Sequence, residues 1–453
     1  MLSAVNLIYH FSHPQELLAI IYWKGWRRPV HPRDKSRESP NIQECYRLLA
    51  LTSRSFVAVI QELDPELLMP VVVFYLVLRA LDTIEDDMTL PLEQKEPLLR
   101  KFHSHMDDET WTFDGSGPNE KDREVLVKFD TVSREFNRLK DQYRVIIRDI
   151  ARSMGNGMAD YAAKAAANPN GVSVKTVTDY KLYCHYVAGL VGEGLTRLFV
   201  EAKFADPALL EEKPHLMESM GQLLQQVNIT RDVREDYDQK RYFWPKEVWS
   251  KYVDTFGELF LPQNRERALQ CSSEMVCMGL SRAEDCLAYM SRVEEQSTFN
   301  FVAIPQAMAI ATFELCFQNP ELFDRNIKMS RGSACRIMID STQGFPRLCE
   351  VFRHHAKRIR QKNRPGDPHF TEIDAACSRI ERFVEARYPS GARRRAHASE
   401  QWTRLAYLAC AFFAFLVAYM ASQQLLHDLF VANKPFINEE KVAIAWTNYS
   451  AAP

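Results

Sequence analysis

Two short acid-rich stretches carry most of the chemistry this sequence offers. In the first, Leu78-Arg79-Ala80-Leu81-Asp82-Thr83-Ile84-Glu85-Asp86-Asp87 follows an apolar run from Val71 that holds no turn residue. If that run is a buried helix and continues, Asp82, Glu85 and Asp86 stand at i, i+3 and i+4 and share one face. Asp87, one position further, turns away from it. Three acids on one patch repel one another and gain nothing from an apolar core. A hard divalent cation such as Mg2+ resolves that conflict, because it takes oxygen ligands and bridges carboxylates to phosphates. For one such cluster alone, a solvated helix end is a competing explanation. The second stretch, Asn228-Ile229-Thr230-Arg231-Asp232-Val233-Arg234-Glu235-Asp236, repeats the spacing at Asp232, Glu235 and Asp236, again with an arginine just before the acids. Facing each other across a helical bundle, the two sets can hold several Mg2+ ions and the diphosphate of an allylic substrate between them. The metals would neutralise the leaving group as its C–O bond ionises.

Such a site needs helices that hold the acids and an apolar cavity between them. Residues 71–78 and 222–227 read as buried helices leading into the two acid sets. Between them lies Tyr183-Cys184-His185-Tyr186-Val187-Ala188-Gly189-Leu190-Val191-Gly192, apolar, with small residues that leave room for a neighbouring helix or a long apolar ligand. A phenol on that wall can act as a general acid/base or stabilise a cation, or it is simply a core tyrosine with a satisfied hydroxyl. Upstream, Ser53-Arg54-Ser55-Phe56 sets two hydroxyls around a guanidinium, a phosphate-binding combination, although serines before a helix usually serve as caps. Gly155-Asn156-Gly157 lacks both the preceding strand and the third glycine of a dinucleotide fingerprint, and close helix packing is the better reading.

Composition agrees with this arrangement. The 453 residues are 46% hydrophobic, with only 16 glycines and little strand-like alternation, so the expected class is all-α. A formal net charge of -2 argues against nucleic acid as a partner. Ten scattered cysteines, with no C-x-x-C pair or Cys/His cluster, read as reduced core residues of a cytosol-facing protein. The N-terminus lacks the pattern of a signal peptide.

We divide the chain into an N-terminal extension (1–40), a large helical domain (41–389), a basic linker (390–404), a transmembrane anchor (405–421) and a short tail (422–453). Residues 405–421 carry no charge, and as a helix they would span about 26 Å, close to the hydrocarbon thickness of the endoplasmic reticulum bilayer. The basic cluster before them places the main domain on the cytosolic side. Asn448 opens a glycosylation sequon that matters only if the tail is lumenal.

Taken together, these segments resemble the squalene synthase (farnesyl-diphosphate farnesyltransferase) family in its membrane-anchored eukaryotic form. Tyr242-Phe243-Trp244-Pro245, Phe299-Asn300-Phe301-Val302-Ala303-Ile304-Pro305-Gln306 and Asn326-Ile327-Lys328-Met329-Ser330-Arg331-Gly332 extend the match in the family's order. The resemblance implies a single helical bundle of the class I isoprenoid synthase type. It implies joining of two farnesyl diphosphates into presqualene diphosphate, then rearrangement and reduction with NADPH to squalene in sterol biosynthesis. Asp82, Glu85, Asp86, Asp232, Glu235 and Asp236 would bind Mg2+. Tyr183 would act in the first half-reaction and Phe301 in the second. Arg54, Arg79, Arg231 and Lys328 would contact diphosphate or cofactor phosphates, and Ser53, Ser55, Phe56, Tyr75, Asn228, Arg241 and Pro305 the substrate. The loop at 326–332 departs from the family pattern, with Ser330 where a phosphate-binding arginine is frequent; Arg331 could reach the same phosphate. A monomer at the endoplasmic reticulum membrane is expected. Two rival readings are a phytoene synthase-type coupling without reduction and a non-catalytic membrane-anchored helical scaffold. The basic loop and the anchor argue against the first, and the intact acids and Tyr183 against the second.

Overall fold

The computed structural model describes residues 13–53, 56–166 and 173–389. Arg54 and Ser55 lie outside these residues, as do the expected linker, anchor and tail at 390–453. Fifteen helices of eight residues or more make up the frame: α1 (Pro14–Ile21), α2 (Pro40–Thr52), α3 (Pro65–Asp86), α4 (Leu92–His105), α5 (Phe129–Arg138), α6 (Asp141–Ala166), α7 (Val177–Cys184), α8 (Leu190–Glu201), α9 (Pro214–Arg231), α10 (Arg265–Leu280), α11 (Ala283–Met290), α12 (Gln296–Cys316), α13 (Arg331–Ser341), α14 (Phe345–Lys362) and α15 (Phe370–Arg387). Only isolated β-bridges occur among the described residues, so the fold is all-α. The compact unit formed by these helices ends at Ala386.

Helix α3 carries the first acid set and packs against α2, α4, α5, α6 and α8. Asp64 caps it by accepting from the Glu66 amide at 2.9 Å, and Pro65 takes the first position, where a missing N–H costs nothing. Val71, Val72, Val73, Phe74, Leu76, Val77 and Leu78 are all buried, so the helix is apolar on every side and surrounded by others. Its counterpart α12 starts at a Glu295 cap whose carboxylate accepts from the amides of Ser297 and Thr298. Both helices are long and apolar enough to cross a membrane, but both are largely buried within the protein and serve as its core.

Glycines set the closest helix contacts. A Cβ on Gly221 of α9 would lie 2.1 Å from the Ala188 carbonyl oxygen, and one on Gly155 of α6 would lie 2.4 Å from that of Leu99. The second contact gives Gly155 the packing role expected of it. Between α7 and α8 the chain makes one π-turn, His185–Gly189, instead of an α-turn. Such turns insert an extra residue and re-aim the side chains around them. All the cysteines among the described residues except Cys277 are buried.

Candidate active site

The first acid set occupies the last turn of α3, as the spacing predicts. Asp82 faces an apolar cavity of about 280 Å³ and shares its wall with Arg79, whose Nη1 lies 3.4 Å from Asp82 Oδ2. Burial, with repulsion from Asp86 and Asp122 added, pushes the Asp82 carboxyl up to about 7 against the pull of Arg79. Burial and the charges of Asp86 and Asp82 likewise push Glu85 up to about 8. Asp87 is turned away, as expected, and has a different task. Its carboxylate accepts from the Thr89 amide at 2.8 Å and the Gly117 amide at 2.9 Å, which ties the 114–122 loop to the end of α3.

The second acid set does not sit on one uninterrupted helix. Asp232 lies at a break (φ -94°, ψ 10°) between α9 and a short helix, Val233–Asp238. The i to i-4 hydrogen bond from the Asp236 amide to the Asp232 carbonyl persists at 2.9 Å, so the acids still share one turn. Here the charges are already engaged. Arg231 forks onto Asp232 at 2.8 and 2.5 Å, and the Asn326 amide donates to Asp232 at 2.7 Å and to Glu235 at 2.9 Å. Asp236 accepts from Arg241 at 2.8 Å, yet burial and the neighbouring acids still push it up to about 6. Arg241 also lies 3.6 Å from Asp86, so its guanidinium bridges the two acid sets.

Among the described residues, no three carboxylates, histidines or cysteines close into a metal cage. The donor set nonetheless suits Mg2+. It offers only hard oxygens, and three of the six carboxylates hold protons unusually tightly because they are buried beside other acids.

The cavity wall brings together Phe56, Tyr75, Arg79, Asp82, Phe301 and Pro305, drawn from segments far apart in the chain. The Tyr75 hydroxyl accepts from Arg79 at 3.3 Å, and Phe301 meets Phe199 edge-on at 6.1 Å. Gly192, with Val187 and Ala188 of the π-turn, completes this side of the wall. Tyr183 is not on that wall. It is buried, stacked on Phe243 at 5.0 Å and edge-on to Tyr161 at 5.2 Å. Burial, with Glu85 and Asp86 nearby, keeps its hydroxyl a neutral phenol. The Ser53 hydroxyl accepts from the Phe56 amide at 3.0 Å and acts as a local cap, while Asn228 is exposed.

In the 326–332 loop, Lys328 and Arg331 are exposed. Ser330, where an arginine was expected, caps α13 by accepting from the Ser333 amide at 3.0 Å and donates to Glu16 at 2.7 Å. Several neighbours of the site carried no motif. Asp122 lies 3.7 Å from Arg79, and its Oδ1 is buried without a hydrogen-bond partner. The buried Lys95 donates to the Glu85 carbonyl at 2.7 Å, where a cation complements a helix C-terminus. Asn326 belonged to the basic loop in the sequence, and nothing there linked it to the acids.

An all-α bundle with two bridged acid sets beside an apolar cavity defines a protein of the isoprenoid synthase type. The profile of the squalene/phytoene synthase family matches residues 49–333. Squalene synthase R6 of a Phoma species is 63% identical over 392 residues, which cover 86% of this chain and 92% of that protein. Squalene synthase clz20 of Cochliobolus lunatus is 59% identical, covering 86% and 93%. The solved complex of TcSQS with the ligand E5700 is 37% identical with a TM-score of 0.72, covering 77% of this chain and 99% of that one. The chain belongs to the squalene/phytoene synthase family, on its squalene synthase branch.

Proposed function

We propose that this chain joins two farnesyl diphosphates into presqualene diphosphate and then rearranges and reduces that intermediate to squalene, with NADPH as reductant. The observation that carries this reading is the Arg241 bridge between two acid sets, one of which opens onto an apolar cavity. Asp82, Glu85, Asp86, Asp232, Glu235 and Asp236 are the residues to hold Mg2+, which supplies charge neutralisation to a departing diphosphate. Arg79 and Arg241 orient the diphosphate oxygens. As the C–O bond breaks the electron pair leaves with the diphosphate, and the apolar wall keeps water from the cation left behind. Closing the cyclopropane ring of presqualene diphosphate releases one proton. A neutral phenol suits the Tyr183 hydroxyl to relay it, passing its own proton to a diphosphate oxygen while accepting that of the substrate. Phe301 offers its ring to the rearranging cation of the second half-reaction. Lys328 and Arg331 are assigned to the phosphates of NADPH, which supplies the hydride that quenches that cation.

In this reading the domain faces the cytosol, tethered to the endoplasmic reticulum by residues 405–421, and works as a monomer. Incubating the full-length protein with farnesyl diphosphate, Mg2+ and NADPH and identifying the hydrocarbon tests it. Squalene that requires NADPH is expected. A coupled, unreduced product formed equally well without NADPH would overturn the reading.

A further inference from the structure

Ten large apolar side chains are exposed among the described residues, and five of them, Leu18, Ile21, Tyr22, Trp26 and Val30, fall within residues 18–30. That concentration marks one place rather than a scatter. Leu18, Ile21 and Tyr22 stand at i, i+3 and i+4 along α1 and into the π-turn Tyr22–Trp26 that continues it, and Trp26 follows one turn later. Trp26 is 72% exposed, the most of the five.

The opposite side of this segment is already committed. Glu16 accepts from the hydroxyls of Ser330 and Ser333 at 2.7 and 2.8 Å, and Gln15 accepts from Arg336 at 3.0 Å. A Cβ on Gly332 would lie 2.2 Å from that of Glu16, so α1 seats directly on the first turn of α13. Arg27 forks onto Glu62 at 2.5 Å and lies 4.0 Å over the Trp23 ring. The segment is therefore fixed to the domain by one face while it presents the other, apolar face outward.

Charge identifies what that face meets. From residue 17 to 33 the sequence holds no acid and four basic residues, Lys24, Arg27, Arg28 and Arg33. Arg27 pairs with Glu62 and Arg33 with Glu38, whereas Lys24 and Arg28 are exposed. An indole, a phenol and aliphatic side chains on one face, flanked by exposed cations, is the make-up of a segment lying in a membrane interface. We propose that residues 18–30 form a docking surface for an anionic lipid bilayer. Leu18, Ile21, Tyr22 and Trp26 enter the boundary between headgroups and acyl chains, and Lys24 and Arg28 meet the headgroup charge. The contact is separate from the apolar stretch at 405–421 and stands whether or not that stretch spans a membrane. Because α1 rests on α13, docking holds the end of the domain that carries Arg331 against the lipid.

The test is hydrogen exchange on the full-length protein, alone and with phosphatidylcholine vesicles that contain or lack phosphatidylserine. Amides of residues 18–30 should be protected by the anionic vesicles and much less by the neutral ones. In Lys24→Gln/Arg28→Gln the anionic lipid needed for half-protection should rise about fivefold for each charge removed, with squalene formation in detergent unchanged. Unchanged exchange with either vesicle overturns the proposal. So does protection that grows with protein concentration in the absence of lipid, which would assign the face to a second copy of the chain. Strong protection before lipid is added would assign it to one of the chain's own terminal segments and likewise overturns it.

Discussion

Asp82, Glu85 and Asp86 project from the end of one uninterrupted buried helix, whereas Asp232 sits where two helices meet. The surroundings differ as much as the backbone. Near the first set, Arg79 at 3.4 Å and Arg241 at 3.6 Å are loose partners, and two of the three acids are pushed to about 7 and 8. In the second set Arg231, Asn326 and Arg241 have already satisfied much of the charge. A shared spacing thus serves two purposes. The first set holds acids whose charge is costly until a cation or a proton relieves it. The second set is a structural junction, tying α9 to the 326–332 loop through Asn326 and to the first set through Arg241.

The largest effect should separate these roles by sign. Asp82→Asn and Asp232→Asn should each cut squalene formation by about 10²-fold or more, as loss of an electrostatic stabiliser does. With Mg2+ chelated, their melting temperatures should move in opposite directions. Asp82→Asn removes repulsion at a desolvated site and should raise Tm. Asp232→Asn strips Arg231 of its partner and should lower it. Shifts of the same sign would mean that the two sets are equivalent.

The same contrast has a pH signature. Asp82 and Glu85 keep their protons in the folded chain at pH values where the unfolded chain has lost them. The folded state therefore binds more protons, and metal-free stability falls as pH rises from about 4 to about 8. Melts across that range should show a shallower fall for Asp82→Asn/Glu85→Gln than for the parent. Parallel curves would remove these two acids from the account. Next in size, Arg241→Met should raise the KM for farnesyl diphosphate about tenfold, since two partly exposed ion pairs are lost together. An unchanged KM would leave the bridge without a role in binding.

Periodicity and spacing made the helical class, α3 and the first acid set legible, because each depends on residues within a few turns of one another. The break at Asp232 was not legible, since the i, i+3, i+4 spacing is the same with or without a kink that preserves the hydrogen bond. Asp122 and Lys95 reach the site only because a loop and a neighbouring helix fold back onto α3, and no local pattern encodes that. Tyr183 was legible as a buried phenol on a small-residue helix, but its stack on Phe243, away from the cavity wall, depends on a contact sixty residues on. At Ser330 the sequence showed only an absent arginine. The partner that takes the hydroxyl, Glu16, lies 314 residues away.

The smallest effect tests whether the junction reaches the cofactor loop. Asn326 gives one amide to both Asp232 and Glu235, and it lies two residues before Lys328 and five before Arg331. Arg331→Ala should raise the KM for NADPH much more than that for farnesyl diphosphate. Asn326→Ala should do the same more weakly, by about three- to fivefold, since partly exposed hydrogen bonds of this kind are worth about 1 kcal/mol. If Asn326 acts by holding the loop, the two substitutions should combine less than additively, because a loop already released has little left to lose. Full additivity would make them independent. A rise in the KM for farnesyl diphosphate instead would place Asn326 with the acids and reduce the second set to a metal site like the first.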